Sequence, residues 1–142
     1  MRNQRSIRTT NRSGTTTIEF AVAAPVVLLI IFGCIEITRM SLLLNLAQDA
    51  CYDAARHAMV EGATTAEATA RAQQVLAMFG TKNATIQIND GNGITSTSTH
   101  VKVNISIPMR DNAYVLKYFY TNRFINAAFS LKLERYTGYY SE

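Results

Sequence analysis

Glu19 is the residue whose setting most demands a chemical partner, because the sixteen residues after it, Phe20–Ile35, carry no charge. A carboxylate beside hydrocarbon costs roughly a few kcal/mol and ordinarily faces a cation or water. Taken by itself, Glu19 sits at the headgroup level, touching water or Arg12. The other reactive side chains do not assemble into a centre. His57 and His100 have no adjacent ligand pattern. Cys34 and Cys51 fall on one expected helix, about 25 Å apart at ~1.5 Å per residue, which excludes a disulfide within the chain or a shared metal. The run Asp90–Gly93 (DGNG) has the composition of a turn and not of a phosphate loop. No Ser-His-Asp set stands out. These residues point to a non-enzymatic protein with no catalytic group, cofactor or metal.

The charge distribution narrows the class further. Arg2, Arg5, Arg8 and Arg12 lie in the first fourteen residues, where there is no acid. The remaining ten basic residues are balanced by all ten acidic ones, so the sequence pI of about 9.3 belongs to a tail. A nucleic-acid surface needs its cations clustered on the folded part. That pattern is missing, and no nucleic-acid partner is expected. The basic tail reads instead as a topology signal.

The segment FAVAAPVVLLIIFGCI, Phe20–Ile35, spans about 24 Å as a helix at ~1.5 Å per residue. Thr17, Ile18, Ile37 and Thr38 extend it toward the ~30 Å of a hydrocarbon core. Glu19 and Glu36 then mark the two interfaces, with Glu36 solvated. A core helix of a small soluble domain is seldom apolar all round. A cleaved secretory signal would show a small-x-small site after the apolar run, and EITRMSLL has none. Ile31-Phe32-Gly33-Cys34 resembles a lipoprotein box, but bulky Phe32 stands where that box holds a small residue. The segment is therefore expected to be a single-pass anchor, with the arginines holding the N-terminus in the cytoplasm. Pro25 removes one helix hydrogen bond and marks a kink that neighbouring helices could accommodate.

Gly14 followed by Thr15-Thr16-Thr17-Ile18-Glu19-Phe20 resembles the processing site of type IV prepilins. More narrowly, RSGTTTIEFAVAAPVVLLIIFGCIEITR resembles the N-terminus of TadE-like proteins, minor pseudopilins of the tight-adherence (Flp) pilus system. The matching elements are Gly14, Thr15–Thr17, Glu19-Phe20, Pro25, Gly33, Glu36 and Arg39. The likeness covers about 28 residues closely, and the Ala-rich LNLAQDACYDAARHAMVEG resembles the family's extension of the same helix. The resemblance implies that a prepilin peptidase cuts the Gly14–Thr15 bond, leaving a new α-ammonium on Thr15. It also implies that Glu19, with Phe20, forms an assembly contact, its carboxylate pairing with the Thr15 ammonium of a neighbouring subunit.

These groups need elements to hold them. The expected order is a basic cytoplasmic leader over 1–14, a transmembrane helix over 15–38, and an extracytoplasmic helix-plus-sheet domain over 39–142. Leu43, Leu46, Ala47, Ala50, Ala54 and Ala58 make a stripe that carries the first helix to about Met59, ended by Glu61-Gly62. Thr64 or Thr65 caps a second helix reaching Phe79, with Ala68, Ala72, Val75, Leu76 and Phe79 on its apolar face, and Gly80 stops it. The period then changes to two. Ile86 and Ile88, then Val101–Ile107 ended by Pro108, then Phe129–Leu133 predict three amphipathic strands in a small antiparallel sheet. Tyr114–Ala128 reads as helix or irregular and is aromatic. Core cover is its default role, a subunit interface comes next, and a lipid-surface contact is also open. The fold class is α+β and pilin-like.

Two function classes follow. In one, the chain is a pseudopilin taking part in assembly of a tight-adherence pilus or secretion apparatus. Its partners are then the bilayer, the prepilin peptidase, other pilin or pseudopilin subunits and the assembly machinery, and its place is the bacterial inner membrane with the outer domain periplasmic or extracellular. In the other, it is a single-pass anchored binding protein with no filament role.

Overall fold

The computed structural model describes residues 13–60, 62–95 and 98–132. The arginine-rich segment 1–12, Glu61, and the last positions of the third strand pattern, Leu133 and Glu134, lie outside the described residues. Helix α1 covers Ser13–Ala58, α2 Thr65–Ala77 and the single-turn α3 Met109–Asn112. Strands β1 (Thr85–Ile88), β2 (His100–Pro108) and β3 (Phe124–Lys132) form one antiparallel sheet in the order β1-β2-β3. The architecture is α+β with a long N-terminal helix, as expected. Internal contacts divide the chain into two compact units, Met1–Ile35 and Glu36–Glu142.

In the first unit, α1 is long and apolar enough to cross a membrane, and its most apolar window has no buried residue. The helix runs without a break through Pro25, whose ring leaves the carbonyl of Ala21 without its usual donor.

The second unit contains the C-terminal part of α1, from Glu36 onward. The expected stripe is buried throughout, from Leu43 to Ala58, and is joined by Met40, Cys51 and Ala55. Ala68, Ala72 and Leu76 of α2 are buried in the same core as the α1 alanines. Helix α2 starts with a full capping box: the Thr64 hydroxyl accepts from the Glu67 N–H at 3.2 Å, and the Glu67 carboxylate accepts from the Thr64 N–H at 3.0 Å. It ends in a Schellman arrangement, with Thr81 N–H donating to Leu76 O, Gly80 N–H donating to Ala77 O, and Gly80 at φ +62.

The sheet gives its apolar face to this core. Val101, Val103, Ile105 and Ile107 of β2 alternate as buried residues, paired in register with Leu131, Phe129, Ala127 and Ile125 of β3. Tyr52 of α1 meets Phe129 edge to face, ring centroids 5.3 Å apart. Strand β3 begins at Phe124, so Phe124–Ala128, expected to be helical or irregular, is strand instead. Inward Ile125 and Ala127 continue the alternation of Phe129 and Leu131, and Asn126-Ala127-Ala128 hid it because alanine and asparagine are poor strand formers.

The turn after β1 is tightly wound. Asn89, Asp90, Gly91 and Gly93 all have positive φ. The Asn89 side chain closes the turn, its amide donating to Gly93 O at 2.6 Å and its oxygen accepting from the Lys102 N–H at 2.8 Å.

Candidate functional site

The residues singled out from the sequence all fall on the first part of α1. Gly14, Thr15, Glu19, Phe20 and Pro25 are exposed, as is every residue from 14 to 23. Thr15 and Glu19 are four residues apart on that helix, on one face. Gly14 has space around it: a Cβ there would meet nothing within 4 Å, and its φ is not positive. Neither the helix nor its packing calls for glycine at this position.

The sequence reading missed a second cluster, at the start of the other unit. Glu36, expected to be solvated, has 0% exposure. Its Oε2 accepts from the backbone N–H groups of Tyr114 and Val115, each at 3.2 Å, while Oε1 is buried without a hydrogen-bond partner. One turn later, the Arg39 guanidinium donates from Nε to Asn112 O at 2.6 Å and from Nη1 to the Tyr114 hydroxyl at 2.7 Å. It also lies 3.9 Å from the centroid of the Tyr114 ring, a cation–π geometry. The loop that brings these groups to α1 is fixed by Asn112. Asn112 is buried, accepts from Lys82 N–H at 2.9 Å, and donates to Lys82 O and Pro108 O at 3.0 and 2.9 Å. Asn83 adds a bond to Asp111 at 2.7 Å. Two polar helix residues thus clamp a loop more than seventy residues away.

Elsewhere the polar groups serve the fold. Cys51 is buried, and its thiol lies 3.5 Å from Ala127 O. Desolvation by burial pushes the Cys51 pKa up to about 11, outweighing the lowering effect of a backbone hydrogen bond from Ile105. Cys34 is exposed. His57 and His100 are exposed. The Glu67 carboxyl is held below its ordinary range by the Thr64 backbone bond, the capping role already described. No group of three or more His, Cys, Asp or Glu residues is placed to hold a metal ion among the described residues. An open depression on the outer face of the sheet is lined by Thr85, Gln87, Asn104, Ser106, Asn126 and Ala128.

A long apolar N-terminal helix, a second helix and a three-stranded antiparallel sheet define an α+β protein whose first helix is long and apolar enough to cross a membrane. The family model for TadE-like protein matches residues 14–56, which lie within α1, and over that segment the chain resembles the family. The matched span includes Gly14, Glu19, Pro25, Glu36 and Arg39, so it takes in both the exposed N-terminal residues and the buried clamp. That match supports an involvement with the Tad pilus system in general terms. No curated protein and no solved structure matches the chain.

Proposed function

We propose that the chain is a minor pseudopilin: a structural subunit, anchored by α1 in a bacterial inner membrane, that takes part in assembling a tight-adherence (Flp, type IV-like) pilus or secretion apparatus. The leader is cytoplasmic and the helix-and-sheet unit is periplasmic or extracellular. A prepilin peptidase cuts Gly14–Thr15, and the Thr15 ammonium so formed pairs with Glu19 of an adjacent subunit as the helices pack in the apolar phase. Two opposite charges in that medium attract far more strongly than in water, and each relieves the desolvation of the other. Phe20 packs beside this pair, and Pro25 gives the helix a loosened turn.

The observation that carries the reading is the coincidence of the TadE-like match with the apolar helix and with a glycine that the helix does not need. A peptidase that must fit the backbone closely would favour glycine there. The open depression on the outer face of the sheet is what would serve the alternative, an anchored binding protein with no filament role.

Replacing Glu19 separates the two. In cells carrying the assembly machinery, Glu19→Ala should abolish pilus assembly while the protein still fractionates with the membrane. Normal assembly by this variant would favour the anchored binding protein.

A further inference from the structure

Strand β3 is a sheet edge without the usual protections against pairing. It is the last strand in the order β1-β2-β3, so one of its sides faces no strand among the described residues. Alternate residues of an antiparallel strand turn their N–H and C=O groups to that side. Natural sheets block such a row with a short edge, a proline, a bulge or charges. The other edge, β1, is only four residues long and lies between Asn83 and Asn89, both at positive φ. Strand β3 is nine residues long, contains no proline, and pairs with β2 at every position without a bulge. Its one charge, Lys132, is its last residue. Among the described residues, one side-chain bond reaches it from outside the sheet, that of the Cys51 thiol to Ala127 O at 3.5 Å.

The side chains of β3 match a second copy of themselves. Ile125 and Ala127 are buried, but Phe129 and Leu131 on the same face are only partly so. A second β3 placed antiparallel beside the first, Ala128 opposite Ala128, gives all nine residues a partner. Ile125 then faces Leu131 of the other copy, Ala127 faces Phe129, Asn126 faces Ser130, and Phe124 faces Lys132. On the core face apolar meets apolar, and small Ala127 leaves room for the Phe129 ring; on the outer face an amide meets a hydroxyl. The Lys132 ammonium comes opposite an exposed ring, that of Phe124. The two lysines lie eight positions apart along the pair, about 26 Å at ~3.3 Å per residue, so like charge does not oppose the contact.

We infer that β3 is a homodimer edge: two copies of the 36–142 unit join through it into one six-stranded antiparallel sheet, with a two-fold axis at Ala128. The occupant is a second copy because one segment supplies both sides of a self-complementary contact. Between Phe124 and Leu131 there is no charge by which a different strand would be selected. The contact lies wholly within the second unit and does not depend on α1 entering a filament.

The test uses the full chain with Cys34→Ala, which removes the exposed cysteine, oxidised mildly in membranes of the expressing cells. Directly opposed residues of antiparallel strands have Cα atoms about 4.5–5.5 Å apart, a span that a disulfide bridges. Ala128→Cys should therefore give a disulfide-linked homodimer on a non-reducing gel, and Gln87→Cys, on the other edge, should stay monomeric. With Ala128→Cys, the pair Asn126→Glu and Ser130→Glu sets carboxylates opposite each other across the axis and should remove most of the dimer. Asn126→Lys with Ser130→Glu makes each facing pair opposite in charge and should restore it. In both variants position 130 faces Lys102 of β2, so the change there is the same. Absence of a dimer at 128, or an equal dimer at 87, overturns the β3 pairing. A link from 128 to a different protein assigns the edge to that protein and also overturns it. A dimer that persists with both glutamates, or that fails to return with the lysine, overturns the two-fold register.

Discussion

Glu36 and Tyr114 are 78 residues apart in the chain, yet the carboxylate of one accepts the backbone N–H of the other at 3.2 Å, with Val115 sharing the same oxygen. Arg39 completes the clamp through Asn112 and the Tyr114 ring. Removing the carboxylate should therefore be costly. Glu36→Ala frees two amides at about 1–3 kcal/mol for each one left buried and unpaired. Glu36→Gln retains an acceptor oxygen and should lose less. Chemical denaturation of the full chain in detergent, followed by circular dichroism, gives the comparison. Equal stability of Glu36→Ala and the wild type would show that the clamp does not hold the loop.

Cys51 provides a pH-dependent signature. Its pKa is raised from 9.0 to about 11, so the folded state keeps a proton that the unfolded state releases first. Its contribution to stability is complete below about pH 9 and is lost as pH rises toward about 11. Cys51→Ala should show a shallower fall in stability over that window than the wild type. Near neutral pH the Cys51 thiol should resist alkylation until denaturant is added. Rapid labelling of Cys51 in the native protein would contradict its burial.

The close packing of α1 makes a prediction of opposite steric sign at two sites. Ile105→Ala opens a cavity under the middle of β2 and should cost roughly 2–5 kcal/mol. Ala54→Leu forces bulk into a contact built on small residues and should cost about 1–3 kcal/mol. Both residues are essentially inaccessible. Melting curves that leave either variant unchanged would argue against the position of the core.

At the turn, Gly93 has φ +71, and an added Cβ would come within 2.8 Å of the Thr65 hydroxyl oxygen. That oxygen already accepts from Ile94 N–H at 2.9 Å, so it cannot move without losing the bond. Gly93→Ala should destabilise by about 1–3 kcal/mol from backbone strain alone. Thr64→Ala, which removes the cap of α2, should cost about 0.5–2 kcal/mol. Denaturation midpoints of both variants, compared with a surface control such as Gln48→Ala, check the two values.

What could be read in the sequence was set by local periodicity. The alternation of Val101–Ile107 and the Leu43–Ala58 stripe are strong one-dimensional signals, and both sit where their spacing required. The alternation of Phe124–Lys132 was just as regular, but small Ala127 and Ala128 blunted it. Glu36 was misjudged for another reason. Its burial depends on a loop far away in the chain, and nothing in EITRM announces that Tyr114 and Val115 will cover it. Glu36 and Arg39 did belong to the TadE-like pattern, so the resemblance marked the clamp residues before there was a physical reason for them. Gly14 and Glu19 were legible as a pattern only, since the partners proposed for them belong to other molecules.

The central claim concerns those partners, and it is tested most directly by the mass of the mature N-terminus. The protein would be extracted from membranes of cells with an active prepilin peptidase and its terminal peptide sequenced by mass spectrometry. A pseudopilin processed as proposed begins at Thr15, and Gly14→Leu, which fills the open position after which the cut falls, should leave the leader attached. A wild-type terminus at Met1 or Arg2 in those cells would contradict the account.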